Sequence, residues 1–302
     1  MTRLPKGASF LNEALAIAAS ILFLGTVYAL LAFGYSLAYS VSGAFNFAHS
    51  ASFVVGGLGL ATLIAKGQPL WIAIVGGIAA GAIAGIAIDR IALWPARSLP
   101  SGPLGRSRTI VAGIAALALA AALVARDANP LRLHAIPPIR LGGVLVDEHT
   151  ALMASCVLIL IATVTVFGAS RMGLAMRAVA ADAPNARAAG VDVEWTTMLS
   201  AWWGSKLAAI AGVAAVLGAH YAYALPAVFG IALCALAAAA IGGFRSLPGT
   251  IAGAYFVAAA QTAVSLASPR FGHDTGLVVL IMLAALVVLP GGVLARRALR
   301  PA

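Results

Sequence analysis

Polar and apolar positions along this chain fall into long blocks rather than a short repeating period. Charged residues are so sparse that the stretches between them outline the apolar elements. Residues 14–65 carry no charge, nor do 67–88, 109–125, 149–170, 207–244, 246–269 and 275–295. The run 195–205 joins 207–244 across the single residue Lys206. A helix that crosses the hydrocarbon core of a bilayer needs about 20 apolar residues. The run 14–65 therefore predicts two full spans or three short ones, 195–244 predicts two, and each other run predicts one. The expectation is an all-α, polytopic membrane protein with about eight to ten transmembrane helices, some short or broken. Residues 1–13 are an N-terminal segment, 14–295 one transmembrane domain and 296–302 a tail. The apolar stretch after Glu13 is far longer than a signal peptide's core, so it is expected to be retained.

Two breaks interrupt the apolar blocks. The first is Ser40-Val41-Ser42-Gly43-Ala44-Phe45-Asn46-Phe47-Ala48-His49-Ser50-Ala51-Ser52, near the middle of the longest run. Irregular backbone at membrane depth survives only when buried in protein or lining a cavity, which makes this cluster a candidate passage or gate. It also fits an interfacial turn, with Asn46 as the N-cap of the next helix. Asn46, His49 and Ser50, with Ser42, are the candidate passage residues, although His49 on its own reads more readily as a structural hydrogen-bonding residue than as a substrate ligand. The second break holds Gly242, Gly243, Pro248 and Gly249 around Arg245. Gly-Gly ends one helix and Pro-Gly starts another, as a hairpin turn or as a re-entrant or coupling turn. Gly77, Gly81 and Gly85 are spaced by four, which places them on one helix face and allows close packing. Gln261 lies mid-span, where an amide usually bonds a neighbouring helix and otherwise lines a pore. Lys206 lies two turns into its span and can snorkel to the interface.

Composition agrees with a bilayer as the solvent. Of 302 residues, 62% are hydrophobic and 9% charged, where a soluble domain carries about a quarter charged residues. Mean hydropathy is +1.02. Disorder and a water-soluble surface are both excluded. The net charge of +10 could suggest nucleic acid, but the arginines lie in loops between apolar runs. The positive-inside rule accounts for them, and no nucleic-acid partner is expected. Loop 89–108 holds Arg90, Arg97, Arg106 and Arg108, loop 171–198 holds Arg171, Arg177 and Arg187, and the tail holds Arg296, Arg297 and Arg300. All three are cytoplasmic if single spans alternate between them, and 126–148 is then external. Arg3 and Lys6 favour an even number of spans with a cytoplasmic start; nine spans would place the start outside. Trp71 and Trp94, and Trp195 and Trp202 against Tyr221 and Tyr223, mark interface edges. Trp203 fits a core position as well. Cys156 and Cys234 lie in apolar runs and read as packing residues.

Chemistry is conspicuous by its absence from the sequence. There is no GxxxxGK[ST], HExxH or GxSxG, so no nucleotide loop, zincin helix or hydrolase nucleophile is present. The acids lie in loops, at a helix end or in the N-terminal segment, whereas ion-coupled carriers usually bury acids in their spans. Backbone carbonyls can still bind sodium, so an autonomous carrier or channel stays open. Neither catalysis nor a cofactor or metal is expected. A transport subunit that draws its energy from another protein fits better.

The loop 171–194 reads RMGLAMRAVAADAPNARAAGVDVE. Asp182 can N-cap a short helix, Pro184 suits its first turn, and Gly190 suits its C′ position. Asp182, Ala186 and Gly190 recur every four residues and would share a face. Such a helix outside the membrane can dock to a partner or serve as a solvated connector.

Four stretches resemble the permease subunits of bacterial ABC importers of the branched-chain amino-acid type. They are GYSLAYSVSGAFNFAHSASFVVGG (34–57), MGLAMRAVAADAPNARAAGVD (172–192), AIGGFRSLPGTIAGA (240–254) and LPGGVLAR (289–296). Their order agrees along nearly the whole chain. The resemblance implies a bacterial inner-membrane protein that pairs with a second related permease. Two cytoplasmic ATPase subunits and a periplasmic or extracellular substrate-binding protein complete the machine. Asp182, Ala186, Arg187 and Gly190 then belong to the coupling helix, although the general EAAxxxG pattern is met only at Ala186 and Gly190. Cys234 and Gln261 stand where many members carry lysine and glutamate, which adds them to the candidate pathway. The same family imports urea, short amides and other amino acids.

Overall fold

The computed structural model describes residues 6–43, 49–93, 115, 139–141, 144–146, 148–219 and 225–267. Its helices are α1 (Lys6–Ser42), α2 (His49–Ala65), α3 (Leu70–Ile88), α4 (Glu148–Ala169), α5 (Arg171–Ala181), α6 (Ala183–Ala188), α7 (Val193–Ala219), α8 (Leu225–Gly242) and α9 (Leu247–Ala267). A π-helical turn, Asp89–Leu93, continues α3. Among the described residues the architecture is all-α apart from one small antiparallel ladder, β1 (Ile139–Leu141) with β2 (Val144–Val146), inside the loop expected to be external.

Among the described residues, five segments are long and apolar enough to cross a bilayer: Glu13–Ser42, Leu70–Ile91, Thr150–Ala169, Val193–Gly218 and Leu247–Ala267. His49–Ala65 and Gly230–Gly242 are shorter apolar helices. The run 14–65 thus forms two helices, and 195–244 forms two. Apart from Ala115, which is helical, the expected spans at 109–125 and 275–295 lie outside the described residues, as do Trp94, Tyr221 and Tyr223.

Helix α1 is the centre of the bundle. It has 37 residues, about 55 Å at 1.5 Å per residue, and its stretch from Gly25 to Ala38 is buried. It packs against α7, α8, α9 and α4. A second cluster joins Leu60 of α2, Ala73 of α3 and Val213, Val216 and Leu217 of α7. Glycine makes this seam possible. A Cβ on Gly77 would lie 2.7 Å from the Gly56 carbonyl oxygen, and one on Gly81 would lie 2.5 Å from that of Ser52. One on Gly85 would strike the hydroxyls of Ser52 and Ser205. The four-residue glycine spacing therefore brings α3 onto the α2 backbone, as its periodicity predicts.

Two contacts fix the direction of α1. The ring of Phe23 fills the space beside Gly218, while Gly34 faces Gly204. Helices α1 and α7 are therefore antiparallel, and α1 begins at the end of the bundle opposite the loop that precedes α7. That outcome departs from the even count favoured by Arg3 and Lys6. Two terminal charges are weak determinants beside the packing of a 37-residue helix.

Candidate translocation site and coupling segment

The first break is shorter than its polar letters imply. Helix α1 runs through Ser40 to Ser42, and Gly43 ends it with φ 67°. A φ in this range favours glycine, which has no Cβ to clash. The Gly43 N–H still bonds the Tyr39 carbonyl at 2.8 Å. Helix α2 begins at His49. Asn46 lies outside the described residues. Ser42 is half-buried and donates to its own helix, at the Ala38 carbonyl, at 2.7 Å.

His49 and Ser50 are buried at the start of α2. The imidazole occupies a seat made by two glycines from different helices. It lies where a side chain on Gly34 of α1 would be, and its Cε1 is 3.0 Å from where a Cβ on Gly204 of α7 would sit. The Tyr35 ring meets it edge-on at 5.0 Å between centroids. The Tyr35 hydroxyl pairs with that of Ser50. Among the described residues, His49 Nε2 and Ser52 Oγ are buried polar atoms without a hydrogen-bond partner. Such atoms cost free energy in an apolar medium, so they mark a place where packing alone does not explain the residue.

Cys234 and Gln261 form a second polar centre. Gln261 is buried, and its Oε1 accepts from the Tyr28 hydroxyl. The same hydroxyl lies against the Cys234 thiol. Tyr28 of α1 thus joins α8 and α9, and the mid-span amide bonds a neighbouring helix. Ser36 and Thr250 add a hydroxyl pair at 2.6 Å, and Thr26 and Tyr255 another at 2.9 Å. Tyr28, Tyr35, Ser36, Ser52 and Thr250 were not singled out in the sequence. The available signal was the set of hydroxyl residues at 26, 28, 35 and 36 within an otherwise apolar run. All four lie in α1, so this helix holds both polar centres, with Tyr28 and Tyr35 about two turns apart.

The second break is a tight helical hairpin. Helix α8 ends at Gly242, Gly243 takes φ 86°, and the Ser246 hydroxyl accepts from the Gly249 N–H at 3.2 Å to start α9. A Cβ on Gly242 would strike the Gly249 carbonyl, and the reverse also holds. Pro248 is exposed on the first turn of α9, where a missing N–H costs nothing. Tyr39 of α1 packs on Phe244 at 5.1 Å between centroids.

The segment between α4 and α7 is built from caps. The Ser170 hydroxyl accepts from the Gly173 N–H at 3.1 Å and starts α5. Asp182 ends α5 in extended backbone and caps α6, its Oδ1 accepting from the Asn185 N–H at 3.0 Å. The Asn185 side chain donates to its other oxygen at 2.7 Å. At the far end the Gly190 N–H bonds the Arg187 carbonyl and the Val191 N–H bonds the Ala186 carbonyl, both at 3.0 Å. With Gly190 at φ 88° this is a Schellman motif. Asp192 then caps α7 through the Trp195 N–H at 2.9 Å. Ala186 is buried against this chain, while Asp182, Pro184, Asn185, Arg187 and Gly190 are exposed. The three residues spaced by four do not share one docking face, because Asp182 and Gly190 are the two caps. Lys206 folds back over the Trp202 ring, its Nζ 3.3 Å from the ring centre, and lies 4.6 Å from that of Trp203. That is the direction a snorkelling lysine takes.

Residues 17–289 match the family described as branched-chain amino acid transport system / permease component. The chain belongs to that family. The permease is 28% identical over 292 residues to the high-affinity branched-chain amino acid transport system permease protein LivH of Escherichia coli K12, covering 90% of this chain and 92% of the relative. LivH of Salmonella typhimurium gives the same figures. BraD of Pseudomonas aeruginosa is 30% identical over 302 residues, covering 91% and 94%. Among solved structures, PsaBC from Streptococcus pneumoniae in complex with Fab shares the fold, with TM-score 0.52 at 16% identity over 96% of this chain and 97% of that one. The protein is a multi-pass permease subunit of an ABC importer in the bacterial inner membrane, and a permease of this class implies an ATPase partner.

Proposed function

We propose that this permease forms half of the pathway by which an ATP-driven importer takes up branched-chain amino acids or related small amino acids and amides. A second, related permease supplies the other half. Two ATPase subunits bind on the cytoplasmic side, and a periplasmic or extracellular binding protein delivers substrate. The chain itself hydrolyses no ATP. Loops 89–108 and 171–194 face the cytoplasm and 126–148 faces outward. With one span each in 109–125 and 275–295, the permease crosses nine times and starts outside.

One observation carries this reading: a short helix, capped at both ends, is exposed on its Pro184, Asn185 and Arg187 side and anchored inward by Ala186. It lies between two membrane helices in a chain of this family. A rigid exposed helix is what transmits movement from a nucleotide-driven partner. Asn46, His49 and Ser50 line or gate the passage, with Ser42, Gln261 and Cys234 along the same central helix system.

Replacing Gly190 by leucine tests the coupling role. Leucine strains a backbone at φ 88°, so uptake should stop while membrane insertion persists; retained uptake would sink the role. Alanine at Asn46 and His49 should reduce uptake or alter substrate range, and unchanged transport would return the break to an ordinary turn. Binding of radiolabelled leucine, valine, urea or acetamide by the cognate external protein would identify the cargo.

A further inference from the structure

A coupling helix moves the pathway only through groups that tie it to the membrane helices. Helix α4 ends at Ala169 and leaves its last carbonyls without intrahelical donors. Arg177, on the second turn of α5, reaches back to two of them. Its Nη1 donates to the Phe167 carbonyl and its Nη2 to that of Gly168 at 3.2 Å. A cation at a helix C-terminus also interacts favourably with the helix dipole. The planar guanidinium fixes angle as well as distance, which a lysine ammonium cannot do. Gly173 brings α5 close enough, since a Cβ there would strike the same Phe167 carbonyl.

Phe167 is also the hub on the opposite side. Its ring meets Phe33 of α1 at 5.7 Å and Trp203 of α7 at 5.9 Å, edge-on at 85° to the latter. The next residues on those helices are Gly34 and Gly204, the two that seat His49. One buried residue therefore holds the coupling segment by its carbonyl and both seat helices by its ring.

We propose that Arg177 and Phe167 form a latch that carries displacement of the 171–190 segment to α1 and α7 at the His49 seat, making Arg177 a positioning residue for ATP-coupled import. This inference rests on the reading that α6 meets the ATPase. The test is the amount of substrate taken up per ATP hydrolysed, by the complete transporter with its partner permease, ATPase subunits and binding protein in proteoliposomes. Arg177→Ala should keep the assembled complex and its ATP hydrolysis while lowering uptake per ATP by roughly fivefold or more. Arg177→Lys, which keeps the charge but not the fork, should restore only part of it. Phe167→Leu leaves the acceptor carbonyl in place and should give the same loss, and the double variant should be no worse than either single one. Unchanged uptake per ATP in either single variant overturns the latch, as does a double variant whose loss is the product of the two. If Arg177→Ala does not assemble, Phe167→Leu decides alone. Failure of the docking reading shows separately, as absence of a crosslink between a cysteine placed by Asn185→Cys and the ATPase in the otherwise unaltered protein.

Discussion

Gly81 and Gln261 show how far a single residue can be read without its neighbours. The spacing of Gly77, Gly81 and Gly85 predicts a close helix contact, and α3 does rest on the α2 backbone there. Valine at Gly81 would force the Ser52 carbonyl away and should cost about 1–3 kcal/mol through overpacking. A lower melting temperature in detergent checks this, and an unchanged one would show that the seam yields. Gln261 was legible as an interhelical hydrogen-bonding group, but its partner was not, because Tyr28 lies 233 positions away. Tyr28→Phe leaves the buried amide without that bond and should cost about 1 kcal/mol. Combining it with Gln261→Met should cost less than the two single losses together, since neither polar group is then stranded. Full additivity in chemical denaturation would mean that the pair is not coupled.

At the scale of elements, the caps were the most legible feature. Asp182, Pro184 and Gly190 each occupy the position their chemistry favours, because cap signals depend on residues within a few positions of one another. The inward burial of Ala186 was not legible. A short helix of six residues has too few turns for an amphipathic pattern, so the packing against α5 and α7 decides which side faces out. Asp182→Ala should weaken α6 by about 1 kcal/mol. Faster amide hydrogen exchange confined to residues 183–189 is the expected result, with Asp182→Asn near normal. An unchanged exchange pattern would show that the Schellman end alone holds the helix.

For the whole molecule, the antiparallel packing of α1 on α7 places the start of α1 opposite the segment that precedes α7. In intact spheroplasts, an N-terminal epitope should be removed by added protease, while one inserted after Gly190 should be protected until the membrane is opened. Protection of the N-terminal epitope would restore the even count that Arg3 and Lys6 suggest. Under the proposed function, energy comes from the ATPase partner. This chain reconstituted alone should give no substrate flux above protein-free vesicles, with or without ATP. Flux without partners would reveal an autonomous carrier.

The sequence by itself determined that the chain lives in a bilayer, where most of its described apolar helices begin and end, and where a short helix is capped. Those properties follow from solvation and from backbone groups a few residues apart, so they are written locally. Tertiary structure decided which groups meet: the His49 ring with Tyr35 and the backbone at Gly34 and Gly204, Tyr28 with Cys234 and Gln261, and Arg177 with the carbonyls at the end of α4. Inside a membrane, hydrophobicity is nearly uniform around each helix and no longer points to a core. Close packing of small residues and pairing of the few polar groups then choose the neighbours, and both depend on the facing helix.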